Sequence, residues 1–139
     1  MEIRKLNIPP SSIDYCHLRK ICGMSEKSIE AAEIGLKHAC FNVTLYDDTL
    51  LIGMGRVIGD GATAFQIIDI AVHPDYQKQG YGKQIMKEIM SFIEEVQLPG
   101  TYVSLIADHP AEHLYQQFGF QMTAPASQGM YVHYPYHSD

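Results

Sequence analysis

Residues 67–83 read Ile67-Ile68-Asp69-Ile70-Ala71-Val72-His73-Pro74-Asp75-Tyr76-Gln77-Lys78-Gln79-Gly80-Tyr81-Gly82-Lys83, an apolar strand that passes through a short polar turn into the start of a helix. A strand, a glycine turn and a helix N-terminus in that order make an anion cradle. Glycines at 80 and 82 let backbone N–H groups approach closely, and the helix adds unpaired N–H groups and the positive end of its macrodipole, about +0.5 charge. The spacing excludes the two commonest phosphate loops. A P-loop requires Gly-Lys-Ser/Thr after four residues, and a dinucleotide fingerprint requires Gly-x-Gly-x-x-Gly, whereas Gly80-Tyr81-Gly82 is followed by Lys83-Gln84-Ile85.

Outward from this segment the pattern alternates between strand and helix periods. On the N-terminal side, Glu2–Leu6 reads as a first strand stopped by Pro9-Pro10. Ser11 and Asp14 then form a capping box for a helix to about Cys22. Ser28 caps a second helix carrying Ile29, Ala32, Leu36 and Ala39, to about His38 or Cys40. Phe41–Tyr46, Leu50–Ile58 and Ala64–Val72 follow as a meander of three antiparallel strands, with Asp47-Asp48-Thr49 and Gly59-Asp60-Gly61 at its turns. On the C-terminal side, Ile85, Ile89, Phe92, Ile93 and Val96 mark the buried stripe of a long helix ended by Pro99-Gly100. Tyr102–Ala107 reads as a buried strand and Pro110–Gln117 as a short helix. Phe120–Thr123 and Met130–Tyr134 are expected as final strands around a Pro125–Gly129 loop. The expected architecture is an α/β sandwich, a mixed, mostly antiparallel central sheet flanked by helices.

Composition bounds the function. With 139 residues and 46% hydrophobic content, the chain 1–139 is expected to form one domain. No apolar run reaches membrane-spanning length and the N-terminus lacks a signal-peptide core, so a cytoplasmic protein without membrane association is expected. The net charge of −6, from 10 basic and 16 acidic residues, argues against nucleic acid and favours a cationic small molecule. Cys16, Cys22 and Cys40 have no metal-ligand spacing and read as reduced, packed thiols.

Two motifs carry a family resemblance. Gln77-Lys78-Gln79-Gly80-Tyr81-Gly82 resembles the Gln/Arg-x-x-Gly-x-Gly/Ala loop of the GNAT superfamily of N-acetyltransferases. Leu114-Tyr115-Gln116-Gln117-Phe118-Gly119-Phe120, beginning 32 residues after Gly82, resembles that family's Leu-Tyr-x-x-x-Gly-Phe helix. The runs Gly55–Gly61 and Asp69–Pro74 also look like small bacterial members. The resemblance implies an acetyl-CoA-dependent N-acetyltransferase, with direct transfer to a primary amine and no metal. Ile70, Ala71 and Val72 would pair with the pantetheine arm, and Gln77, Lys78, Gln79, Gly80, Tyr81, Gly82 and Lys83 would hold the pyrophosphate. Tyr115 matches the tyrosine placed near the thioester sulfur. Gln77 stands where members more often carry Arg, and Asp108 stands seven residues before Tyr115 where Asn is frequent.

A catalytic base is also needed, because with a pKa near 10.4 only about one amine in 10³ is neutral at pH 7. Asp69, interrupting an apolar strand, is the leading candidate, and its alternative is a structural pairing with Arg56 on the adjacent strand. His73, His109 and His113 are weaker candidates. Met24, Phe41, Arg56, Met130 and Tyr131 are the expected lining of the acceptor site. A small-molecule amine is the expected substrate and a homodimer is allowed. The rival readings are acetylation of a protein N-terminus or lysine, and an acetyl-CoA-binding sensor without turnover.

Overall fold

Five strands form one sheet in the computed structural model, which describes residues 2–137. They are β1 (Ile3–Leu6), β2 (Phe41–Asp47), β3 (Leu50–Gly59), β4 (Ala64–Val72) and β5 (Tyr102–Leu105), and they lie side by side in chain order. The first four are antiparallel neighbours, and β5 returns parallel to β4. The return is made by α3 (Tyr81–Val96), a crossover helix of the length a parallel connection requires. Its apolar stripe Ile85, Ile89 and Ile93 packs with Val43, Leu45, Ile52, Val57, Phe65 and Ile67 on one face of the sheet. On the opposite face α1 (Ser12–Ile21) and α2 (Ile29–Gly35) close a second core of Tyr15, Leu18, Ala32, Leu36, Leu51, Met54 and Ala71.

Local chemistry places the helix ends where the sequence signals them. Ser11 accepts from the Asp14 N–H at 3.1 Å and Ser28 from the Ala31 N–H at 3.0 Å. No described helix is long and apolar enough to cross a membrane.

The C-terminal stretch departs from expectation. β5 ends at Leu105 rather than Ala107, and α4 is confined to Glu112–Gln116. Phe120–Thr123 and Met130–Tyr134 join no ladder. Instead the Ser127 N–H donates to the Thr123 carbonyl at 3.0 Å, closing a turn around Pro125. Met130, Tyr131, Val132 and Tyr134 are all more than four-fifths exposed. An apolar sequence becomes a strand only when an edge receives its N–H and C=O groups, and here none does.

Candidate active site

Alternation along β4 changes phase at Asp69. Phe65 and Ile67 face α3, and regular alternation would turn Asp69 the same way, into the apolar core. The strand instead carries a β-bulge. Pairing with β3 moves from Arg56–Ile68 to Met54–Ala71, which leaves Asp69 and Ile70 opposite Gly55 alone. Asp69 takes the left-handed conformation, φ 61°, which an aspartate tolerates better than most side chains. Ile70 and Val72 then pack with the α3 core, Ala71 with the α1/α2 core, and the carboxylate turns toward α1. Gly55 makes room: a Cβ there would lie 2.6 Å from Ile85 and 2.7 Å from Ile70.

Past the bulge β4 and β5 part company. Their ladder runs from Ala64–Tyr102 to Ile67–Leu105 and ends, so the backbone of residues 68–72 has no neighbour in β5. That open edge leads into the glycine loop. Lys78 and Gly80 are both left-handed, with φ 63° and 90°, and α3 starts directly after Gly80 without a side-chain cap. The Gln84 N–H donates to the Gly80 carbonyl at 3.0 Å, so the N–H groups of Tyr81, Gly82 and Lys83 precede the first acceptor of the helix. A Cβ on Gly82 would sit 3.7 Å from Leu114, which brings α4 against the start of α3. Three unpaired N–H groups beside an open strand edge suit a pyrophosphate joined to an amide-bearing arm.

The expected site residues occupy distinct positions around this gap. Ile70, Ala71 and Val72 lie on the open edge. The Gln77 side-chain amide donates to the Val72 carbonyl at 2.9 Å, which ties the loop to the strand end. Lys78, Gln79 and Lys83 are exposed, and Tyr81 and Gly82 are half-buried. Neither lysine takes part in an ion pair among the described residues. Tyr115, next to Leu114 on α4, is half-buried and makes no side-chain hydrogen bond among the described residues. Burial, with the Asp108 charge second, raises its phenol above the ordinary value of 10.

Asp69 is fully engaged. Arg19 Nη1 donates to one carboxylate oxygen at 2.6 Å, and Arg56 Nε and the Tyr15 hydroxyl donate to the other at 2.9 and 3.0 Å. All three acidic and basic side chains are largely buried, at 6, 7 and 13% exposure for Arg19, Asp69 and Arg56. The guanidiniums also donate to the Ser25 and Gly35 carbonyls, so the cluster joins α1, the α1–α2 connection, α2, β3 and β4. Sequence reasoning offered Arg56 as a partner but missed Arg19 and Tyr15. Their i, i+4 spacing on α1 was the available signal.

The histidines and the expected acceptor lining are placed elsewhere. His73 Nδ1 accepts from the Asp75 N–H at 3.1 Å, capping the turn after β4. His109 pairs with Glu112 at 2.6 Å. Phe41 stacks on Phe92, ring centroids 4.6 Å apart, on the α3 face, and Met24 packs on the α1/α2 core. With Met130 and Tyr131 exposed and Arg56 paired, these five residues do not assemble one lining. A groove of about 610 Å³ does exist beside β5, lined among others by Gln66, Ser104, Ile106, His109, Glu112 and Tyr115. It contains a carboxylate and no lysine or arginine. No group of three or more metal-ligating side chains occurs among the described residues.

Comparison with known proteins agrees with this fold. The sequence model of the acetyltransferase (GNAT) domain matches residues 37–122. A probable acetyltransferase of unknown function from meticillin-resistant Staphylococcus aureus is 56% identical in sequence. It superposes with a TM-score of 0.93, over 96% of this chain and 100% of that one. An uncharacterized N-acetyltransferase, ycf52, of Porphyra purpurea is 24% identical over 86% of this chain and 72% of its own length. The [Ribosomal protein bS18]-alanine N-acetyltransferase of Escherichia coli is 30% identical over 69% of this chain and 63% of its own.

Proposed function

Because the chain belongs to the GNAT acetyltransferase family, we propose that it transfers the acetyl group of acetyl-CoA directly to the primary amine of a small cationic molecule. The observation that carries this reading is the parting of β4 and β5 beyond Ile67, next to the uncapped start of α3. Acetyl-CoA supplies an activated thioester carbonyl. The residues present fit it: the edge at Ile70–Val72 offers backbone partners to the pantetheine amides. The N–H groups of Tyr81, Gly82 and Lys83 face where a pyrophosphate would lie, with Lys78 and Lys83 free to add charge. Gln77 contributes by fixing the loop to Val72 rather than by charge.

The amine nitrogen attacks the carbonyl carbon, the new C–N bond forms as the C–S bond breaks, and the electron pair leaves on sulfur. The amine gives one proton to water and the thiolate takes one from water, so the products are the amide and the free thiol. Tyr115 acts as a neutral hydrogen-bond donor to the departing sulfur. Full proton transfer from a phenol of pKa 10 to a thiolate of pKa about 8.5 is already uphill by ~2 kcal/mol, and burial of Tyr115 increases that cost.

The groove reaching Tyr115 receives the acceptor. Glu112, held below the ordinary carboxylate range chiefly by a backbone N–H and further by His109, stays ionised and attracts a cation. Acetylation of a protein, at its N-terminus or a lysine, is the second reading; the E. coli relative is named for an alanine of ribosomal protein bS18. A panel of polyamines, aralkylamines, amino acids, aminoglycosides and short peptides, assayed by release of free thiol, separates the two. Turnover of cationic small amines, with kcat/KM falling as salt rises, is expected. Turnover confined to peptides overturns the small-amine reading.

A further inference from the structure

We propose that Asp69 is a positioning residue: its ion pairs with Arg19 and Arg56 hold the β4 bulge, and the bulge keeps the Ile70–Val72 edge open for acetyl-CoA. This rests on the acetyl-CoA reading of the gap and adds to it a residue that acts through the backbone rather than on the reacting atoms.

The argument starts from the bulge itself. A left-handed residue within a strand is unfavourable and persists only where its surroundings over-determine it. Here three donors from two elements converge on one carboxylate, and each is anchored independently. Arg19 is fixed by the Ser25 carbonyl and hydroxyl, Arg56 by the Gly35 carbonyl, and Tyr15 by burial in the α1/α2 core. If the bulge were lost, the carboxylate would turn into the α3 core between Ile67 and Ile85, and two buried guanidiniums would lose their counter-ion. A regular β4 would continue the alternation of Phe65 and Ile67 and exchange the faces of Ile70, Ala71 and Val72. The cluster therefore selects the bulged register, and the bulged register bends the strand away from β5 where the ladder stops.

The same contacts leave Asp69 poorly placed to accept the amine proton. Both oxygens already accept from the cluster. Three of its roughly four acceptor sites are taken and its side chain is only 7% exposed, which leaves a substrate amine little access to the carboxylate.

Asp69→Asn separates the two roles. Asparagine tolerates the left-handed conformation and keeps an oxygen acceptor, but it removes the counter-ion of both guanidiniums. For a positioning residue, Asp69→Asn should raise the Kd and the KM for acetyl-CoA about 10-fold, and the acidic limb of the kcat–pH profile should stay in place. For a general base, it should lose about 10²–10⁴ in kcat at unchanged acetyl-CoA affinity. That second pattern overturns the proposal. Arg56→Gln, which removes one of the two ion pairs and leaves Asp69 in place, decides the matter if Asp69→Asn does not fold. A threefold rise in the Kd for acetyl-CoA with unaltered pH limbs supports positioning, and an unchanged Kd refutes it. Failure of the wild-type protein to bind acetyl-CoA would instead remove the reading on which the proposal stands.

Discussion

The two halves of β4 share a neighbour, β3, and a similar run of branched apolar residues, yet they are built for different ends. Ala64–Ile67 is paired on both edges and buries Phe65 and Ile67 against α3. Residues 68–72 are paired on one edge, hold a left-handed aspartate, and have no neighbour in β5 on the other edge. The first half is a piece of core. The second spends stability to keep backbone groups unpaired, and it can do so because Asp69 is clamped from α1 and β3.

If that division is real, mutations in the two halves should separate stability from binding. Ile67→Ala should produce the largest energetic change, about 2–5 kcal/mol of unfolding free energy, because a fully packed side chain leaves a cavity. Urea denaturation measures it. Acetyl-CoA affinity per folded molecule should stay within twofold of wild type, and a large loss of affinity would show that the paired half also shapes the site.

Gly82→Val is the complementary experiment. A Cβ at this position meets Leu114 at ordinary contact distance, so the fold should survive, while the branches fill the space that a pyrophosphate needs beside the helix N-terminus. Acetyl-CoA affinity should fall about 100-fold, ~2.7 kcal/mol, with a melting temperature near that of wild type. Normal binding would place the phosphates elsewhere. Lys83→Ala, by contrast, should weaken binding only a few-fold, because an exposed lysine adds screened charge.

The paired half was legible in the sequence, and much of the open half was too. Ala64–Val72 was read with its observed bounds, because Pro74 and the polar turns on either side punctuate it. The bulge was not legible: Ile67-Ile68 and Ile70-Ala71-Val72 are continuous apolar runs, and only the fold shows that the positions packed with α3 are 65, 67, 70 and 72. The interruption by Asp69 suggested a charge that needed a partner, but Arg19 lies 50 residues away on α1, a distance that no local pattern spans. The last strands failed for a related reason. Tyr131, Val132 and Tyr134 satisfy a strand's composition, while pairing depends on an edge that composition does not encode.

Tyr115 tests whether the open half ends in chemistry or only in binding. Tyr115→Phe should lower kcat about 10-fold, ~1.4 kcal/mol, and leave the Kd for acetyl-CoA nearly unchanged, since the lost hydrogen bond strengthens only as charge develops on sulfur. Because the phenol is raised above 10, the donor should remain protonated throughout the neutral range, and wild-type kcat should show no alkaline loss from this group below about pH 10. A parallel rise in Kd would reassign Tyr115 to cofactor binding.

The smallest effect concerns the clamp from its α1 side. Burial first, and the Asp69 charge second, push the Tyr15 phenol from 10.0 up to about 12. A group whose folded pKa is raised binds its proton more tightly in the native state, so its stabilisation is complete below pH 10 and is lost as pH rises toward 12. Deprotonation would place a phenolate against the Asp69 carboxylate and remove one of the three donors that hold the bulge. Wild-type stability should therefore fall more steeply than that of Tyr15→Phe between pH 10 and 11, by at most ~1 kcal/mol, in matched urea titrations. All other groups are common to both proteins and cancel in the comparison. Acetyl-CoA affinity should follow the same divergence, because in wild type the loosened donor faces the bulge rather than the paired half of β4. Identical pH dependence of the two proteins would mean that the hydroxyl contributes nothing to the clamp, leaving the bulge to Arg19 and Arg56 alone.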